Sequence, residues 1–233
     1  MQAARNFTVA VLISGRGSNC QSLIGQARNY SIVGVVSNNA DAGGLAYARE
    51  AGIEAIAVDR KNAGSPARQK QQIYSHIEAL APHLIVLAGY MQILESDFVE
   101  RFEGKIVNIH PSLLPRFKGL DTHKRALQAF QQADNTAVNS EHGCTVHYVD
   151  CGIDTGPIIA QARCRIMASD SEETLAARVL DLEHRLFPWV TNNIAANDIA
   201  YRDRQALFSP KAIEEAAEHG FLLPEHSSIL QAG

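Results

Sequence analysis

Asn108-Ile109-His110-Pro111-Ser112-Leu113-Leu114-Pro115 is the stretch whose side chains could do chemistry. It follows Lys105-Ile106-Val107, a short apolar run expected to be a buried strand, so Asn108 and His110 fall where that strand ends. Residues i and i+2 of a strand project to the same face. An amide that can donate a hydrogen bond therefore stands beside an imidazole that can move a proton. Pro111 biases His110 toward an extended backbone, and Pro115 stiffens the loop beyond. A polar strand end with a surface histidine would look the same, and this stretch alone does not choose between the two.

A second candidate is the turn Ser14-Gly15-Arg16-Gly17-Ser18-Asn19, between the aliphatic run Phe7 to Ile13 and a helical pattern with Leu23 and Ile24. Glycine adopts positive φ without strain, and the helix that follows offers unpaired N–H groups and a positive dipole end. That geometry binds a phosphate. A dinucleotide fingerprint needs a third glycine where Cys20 stands, and an acid on the ribose where Asn38 ends the second strand. A P-loop is excluded because no Gly-Lys-Ser/Thr follows. These residues favour a phosphomonoester. A turn that needs its glycines only for packing is the alternative.

The remaining candidates are weaker. Asp150 and Asp154 flank a loop dense in turn residues, Asp150 to Pro157, and a loop aspartate is ordinarily a solvated turn residue. Gly89-Tyr90-Met91-Gln92-Ile93-Leu94 is apolar for a loop, so it either packs under a neighbour or lines a pocket for a flat hydrophobic ligand. Cys20, Cys144, Cys151 and Cys164 form no C-x-x-C pair, and none is matched with a base that would make it a nucleophile. No cluster has metal-ligand spacing, and no metal is expected.

The elements that must position these groups follow from apolar periodicity. Strands are expected at Phe7–Ile13, Ile32–Ser37, Ile53–Val58, Leu84–Ala88 and Lys105–Asn108, with helices at Gly43–Ala51, Gln69–Leu80 and Asp121–Gln131 between or after them. Alternation at this interval means βαβ units: an α/β fold with a single, mainly parallel Rossmann-like sheet flanked by helices. Ligands bind such sheets at the carboxyl ends of the strands. Gln132 to Asn139 is a polar excursion. Cys144–Val149 and Ile158–Ile166 suggest a late antiparallel pair. A helix starting near Ser169 should run to Pro188 and briefly beyond, short strands should fill Ile199 to Phe208, and the rest is a weakly patterned appendage.

Composition bounds the partners. The 233 residues are 46% hydrophobic, enough for a sizeable core, and the net charge of −4 argues against a basic nucleic-acid-binding surface. No apolar run approaches the roughly 20 residues of a membrane span. Met1 to Asn6 lacks the apolar core of a signal peptide. A cytoplasmic protein with free thiols, bound to neither nucleic acid nor membrane, is the expectation.

Several motifs together carry a resemblance: Ile13 to Asn19, Leu87 to Met91, Asn108 to Pro115, Gly119 to His123, His142 to His147, Asp154 to Pro157, and Glu183-His184. From about residue 7 to 190 the chain resembles the phosphoribosylglycinamide formyltransferases, folate-dependent enzymes of purine synthesis. The resemblance implies a formyltransferase domain over 1–208, with a nucleotide-binding half to about 104 and a catalytic, folate-binding half from about 105, then a tail over 209–233. It implies transfer of the formyl group of 10-formyltetrahydrofolate, a co-substrate, to the amine of glycinamide ribonucleotide, by a monomer or homodimer without a metal. Asn108, His110 and Asp154 would be catalytic. Gly17, Ser18 and Asn19 would hold the nucleotide phosphate, and Glu183 the glycinamide nucleotide. Met91, Gln92, Ile93, Leu94 and Asn108 would meet the folate, with Asp150, Cys151, Gly152, Ile153 and Asp154 as a second wall. Two departures stand out: many relatives carry Arg where this chain has Gln92, and Pro66 replaces a folate-side arginine, for which Arg68 is the nearest substitute. The segment Gln131 to Ser140 also looks longer than usual. A related formyl-folate enzyme, either a deformylase or one acting on initiator tRNA, would share the central triad, and a non-catalytic nucleotide-binding module would share only the turn.

Overall fold

The computed structural model describes residues 7–132, 140–225 and 228–230. Residues 1–6 and 133–139, and with the latter most of the polar excursion, lie outside them.

The first half alternates strand and helix: β1 (Phe7–Ile13), α1 (Ser18–Gly25), β2 (Tyr30–Ser37), α2 (Gly44–Glu50), β3 (Ala55–Ala57), α3 (Arg60–Ala63), α4 (Pro66–Leu80), β4 (Leu84–Leu87), α5 (Ser96–Arg101) and β5 (Ile106–His110). The second half runs α6 (Thr122–Gln132), β6 (Glu141–Tyr148), β7 (Ile158–Arg165), α7 (Glu172–Ala195), β8 (Ile199–Arg202), β9 (Gln205–Phe208), α8 (Pro210–His219) and β10 (Ser228–Ile229). A seven-stranded sheet has the order β3-β2-β1-β4-β5-β6-β7, and β10-β9-β8 form a separate sheet of three. β1 to β5 pair in parallel, whereas β6 and β7 run antiparallel. The strand order turns back beside β1, which is where an open α/β sheet places its ligand crevice. By contacts the chain divides into two compact units that meet in sequence at Asn108 and Ile109.

Burial explains the strands. Val9 to Ile13 and Leu84 to Val86 are at most 1% exposed, as parallel strands covered on both faces should be. α4 buries Gln69, Ile73 and Ile77 at four-residue spacing and leaves Arg68, Gln71 and Gln72 outside.

α7 runs through Pro188 without a break to Ala195, as the helical pattern after Pro188 leads one to expect. The proline removes one backbone donor, and beyond it the side chains of Thr191, Asn192 and Asn193 donate to the carbonyls four residues back, those of Phe187, Pro188 and Trp189. Burial of Leu186, Phe187 and Val190 holds the helix in place. The appendage after Ser209 is folded too. Ser209 caps α8 at the N–H of Ala212, and Glu215 accepts from the Trp189 indole at 3.1 Å.

Candidate active site

In the first unit, β1 leads into the glycine turn. Gly17 has φ +78°, and a Cβ there would lie 2.2 Å from the Cα of Gly44, so α1 and α2 meet backbone to backbone. Gly15 has open space around it. Packing and positive φ therefore account for Gly17, and neither requires a glycine at Gly15. α3, α4, α7 and α8 are closed at their N-termini by the side chains of Asp59, Ser65, Ser171 and Ser209. α1 starts on Gly17 with no side-chain cap, as do α2 on Gly43 and α5 on Glu95, so its first N–H groups and dipole end are presented as an anion site would present them. Ser18 and Asn19 occupy its first turn.

The loop after β4 is tied to that turn. Ser14 Oγ accepts from the N–H of Met91 at 2.8 Å, and Ser14 N–H donates to the Gly89 carbonyl at 3.1 Å. Met91 and Ile93 are 73% and 67% exposed. Leu94 is half-buried. The Gln92 side chain turns inward and bonds Gln69 and Tyr90. Arg68 lies on the outer face of α4 beside Gln71, Gln72, Ser75 and His76, away from the face that carries Gln69.

Asn108 and His110 lie two residues apart on β5, which extends through His110 instead of stopping at Asn108. Asn108 is half-buried and His110 is 5% exposed.

In the second unit His110 meets Asp154, with Nδ1 3.3 Å from Asp154 Oδ2. Its Nε2 lies 3.0 Å from the Phe117 carbonyl, which can only accept, so Nε2 carries a proton. Both imidazole nitrogens thus face acceptors. That arrangement suits an imidazolium–carboxylate pair, or a single proton held between Nδ1 and Oδ2. Asp154 has φ +50° and its Oδ2 also accepts from the Gly119 N–H at 2.8 Å. Sequence reasoning missed both backbone partners, Phe117 and Gly119, because a peptide group leaves no mark in the residue type.

It also left out a second imidazole. His147 Nε2 lies 3.7 Å from Asp154 Oδ1, while its Nδ1 donates to the Tyr148 carbonyl at 2.8 Å. Burial lowers the basicity of this nearly inaccessible ring below the ordinary histidine value. Neutral His147, with Nδ1–H fixed, turns a lone pair toward the aspartate. The signal for it was present in the alternation of β6, where His147 follows Thr145 on one face.

Thr145 fixes the loop that follows His110. Its hydroxyl donates to the Ser112 carbonyl at 2.6 Å and accepts from Leu114 N–H at 3.0 Å and Gln161 Nε2 at 2.8 Å. The Asp150 loop closes on itself: Asp150 Oδ1 accepts from Gly152 N–H and Thr155 Oγ1 at 3.0 and 2.6 Å. Cys151, Gly152 and Ile153 stay exposed. Behind Phe117, fully buried His142 faces His123 Nδ1 at 3.1 Å, and burial with the charges of His123, Arg116 and His110 pushes it down to about 3.

Glu183 is buried on α7, 7% exposed. Burial, with the Glu183 charge adding to it, raises the Cys144 thiol well above the usual range, and burial pushes Cys20 up to about 12. Neither is a thiolate at neutral pH. Among the described residues no group of three or more His, Cys, Asp or Glu could hold a metal ion.

Residues 7–191 match the formyl transferase family model. The phosphoribosylglycinamide formyltransferase of Haemophilus influenzae is 40% identical over 212 residues, 89% of this chain and 96% of that protein. The Escherichia coli enzyme of the same name is 39% identical, over 86% and 92% of the two chains. A crystal structure of phosphoribosylglycinamide formyltransferase from Anaplasma phagocytophilum superposes with a TM-score of 0.79 at 37% identity, covering 89% of this chain and 96% of that one. The chain therefore belongs to the formyl transferase family, as one of its phosphoribosylglycinamide formyltransferases.

Proposed function

We propose that the protein transfers the formyl group of 10-formyltetrahydrofolate to the primary amine of glycinamide ribonucleotide, releasing tetrahydrofolate, as a step of purine synthesis. The observation that carries the reading is the His110–Asp154 pair, 3.3 Å apart, with Phe117 fixing the far nitrogen as a donor.

In the reaction the amine nitrogen bonds to the formyl carbon, giving a tetrahedral intermediate with an oxyanion. The bond from that carbon to N10 then breaks, the amine nitrogen loses a proton and N10 gains one. Asn108 donates to the oxyanion, and a fixed donor at that point is worth roughly 3–4 kcal/mol. The His110 Nε2–H, which rests on the Phe117 carbonyl, is the second donor once the oxyanion takes that carbonyl's place. Asp154 takes up the amine proton, directly or through water, and the His110–Asp154 pair returns one to N10. Gly17, Ser18 and Asn19 hold the phosphate and Glu183 the glycinamide end. Met91 to Leu94 and Asp150 to Asp154 contact the folate, Gln92 through its backbone. Arg68, on the outer face of α4, has no part in this reading.

No described helix is long and apolar enough to cross a membrane, and we place the activity in the cytoplasm. The test is to mix the protein with 10-formyl-5,8-dideazafolate and glycinamide ribonucleotide and follow absorbance. Signal that requires both substrates supports the reading, whereas signal with the folate alone would make the protein a deformylase.

A further inference from the structure

Gln69 lies on α4 and is 1% exposed. Both hydrogens of its amide are committed, because Nε2 donates to the carbonyls of Asn38 and Val58, each at 2.7 Å. Turning this amide over would set its oxygen against two carbonyl oxygens, so only one orientation is tolerated. Its Oε1 therefore faces Gln92, whose Nε2 donates to it at 3.1 Å. The second amide is oriented in turn, and Gln92 Oε1 accepts from the Tyr90 hydroxyl at 3.1 Å. Tyr90 is buried, and burial raises its phenol above the ordinary tyrosine value, so it remains a donor. The hydrogen bonds from Tyr90 through Gln92 and Gln69 to Val58 and Asn38 thus run with one polarity. Every amide group in them is used.

This run ends on the loop after β4, which Ser14 grips from its other side through Gly89 and Met91. The backbone is clamped twice while Met91 and Ile93 face outward. A surface held in that way costs a ligand little ordering when it binds.

We propose that Gln69 and Gln92 are positioning residues that fix the Gly89–Leu94 loop in its folate-binding form. The proposal rests on the reading above that this loop contacts the folate. The pair makes the loop rigid without reaching the ligand.

Gln92→Met keeps length and volume but removes the bond to Gln69, and Tyr90→Phe removes only the hydroxyl. Each should raise the KM for the formyl folate roughly five- to tenfold, as the loss of a hydrogen bond or two would. The KM for glycinamide ribonucleotide should stay within about twofold, which a general loosening of the unit would not spare. Gln69→Glu sets a carboxylate oxygen against two carbonyls and should act more strongly or fail to fold. The readout independent of turnover is hydrogen–deuterium exchange in the ligand-free protein, where Gln92→Met should speed exchange over residues 89–94 and leave α1, residues 18–25, unchanged. Unchanged exchange over 89–94 in Gln92→Met would overturn the proposal, whatever the wild-type activity. So would an equal rise in both KM values. Absence of wild-type transfer would remove the functional reading instead, and the exchange experiment would still decide whether the glutamines hold the loop.

Discussion

Asp154 reaches His110 from a residue whose backbone lies in the left-handed region, φ +50°, with Oδ2 3.3 Å from the imidazole Nδ1. A non-glycine residue held there bears strain of about 1 kcal/mol or more, maintained here by the bond from Gly119 and the contact with His110.

His110→Ala and Asp154→Asn should therefore each lower kcat by about 10²–10⁴-fold, the range for losing a proton-transfer group. Calorimetric titration with glycinamide ribonucleotide should show binding close to wild type. Near-normal turnover in either variant would remove the pair from the mechanism.

The two glycines of the turn after β1 should separate cleanly. Gly17→Ala brings a Cβ to 2.2 Å from the Gly44 Cα at positive φ. It should cost about 2 kcal/mol or more in urea unfolding. Gly15→Ala meets nothing within 4 Å. It should stay within about 0.5 kcal/mol of wild type, and equal losses in the two would refute the packing account of Gly17.

Thr145→Val replaces the hydroxyl that serves Ser112, Leu114 and Gln161 with a methyl group of the same shape. Leaving these buried groups short of a partner should cost about 2–3 kcal/mol, measured by urea unfolding. Turnover should fall as well, since the loop after His110 loses its tie to β6 and β7.

Acid should act through His142. It stays neutral in the fold down to about pH 3, while in the unfolded chain it takes a proton near the ordinary histidine value of about 6.5. Between those limits the unfolded state binds the extra proton, so stability falls as pH drops from 6.5 toward 3. The full effect is on the order of a few kcal/mol. His142→Gln should flatten the dependence of unfolding free energy on pH in that window. A slope equal to wild type would assign the acid sensitivity to other groups.

The legible part of this molecule is what repeats along the chain. Period-two alternation placed Asn108 and His110 on one face, and apolar runs placed β1, β2 and β4 within a residue or two. Asp154 stood out only through the family resemblance, because a loop aspartate with positive φ has the same spelling as a solvated one. Gln69 was hidden for a different reason. It sits among Lys70, Gln71 and Gln72, and only its four-residue spacing to Ile73 and Ile77 marks it as inward-facing. The continuation of α7 past Pro188 was legible in the helical pattern of Trp189 and of Val190 to Ala195.

α1 begins on a residue that has no side chain to offer its first N–H groups. If a phosphate completes that end, the nucleotide is thermodynamically part of the native state, and mass action joins folding to metabolite supply. At a hundredfold excess over Kd the gain is about 2.7 kcal/mol. The enzyme would then be sturdiest when its substrate is plentiful and easiest to degrade when purine synthesis is starved of it. A melting temperature that climbs with glycinamide ribonucleotide in the wild type, and less steeply in Ser18 or Asn19 variants, would display that link directly.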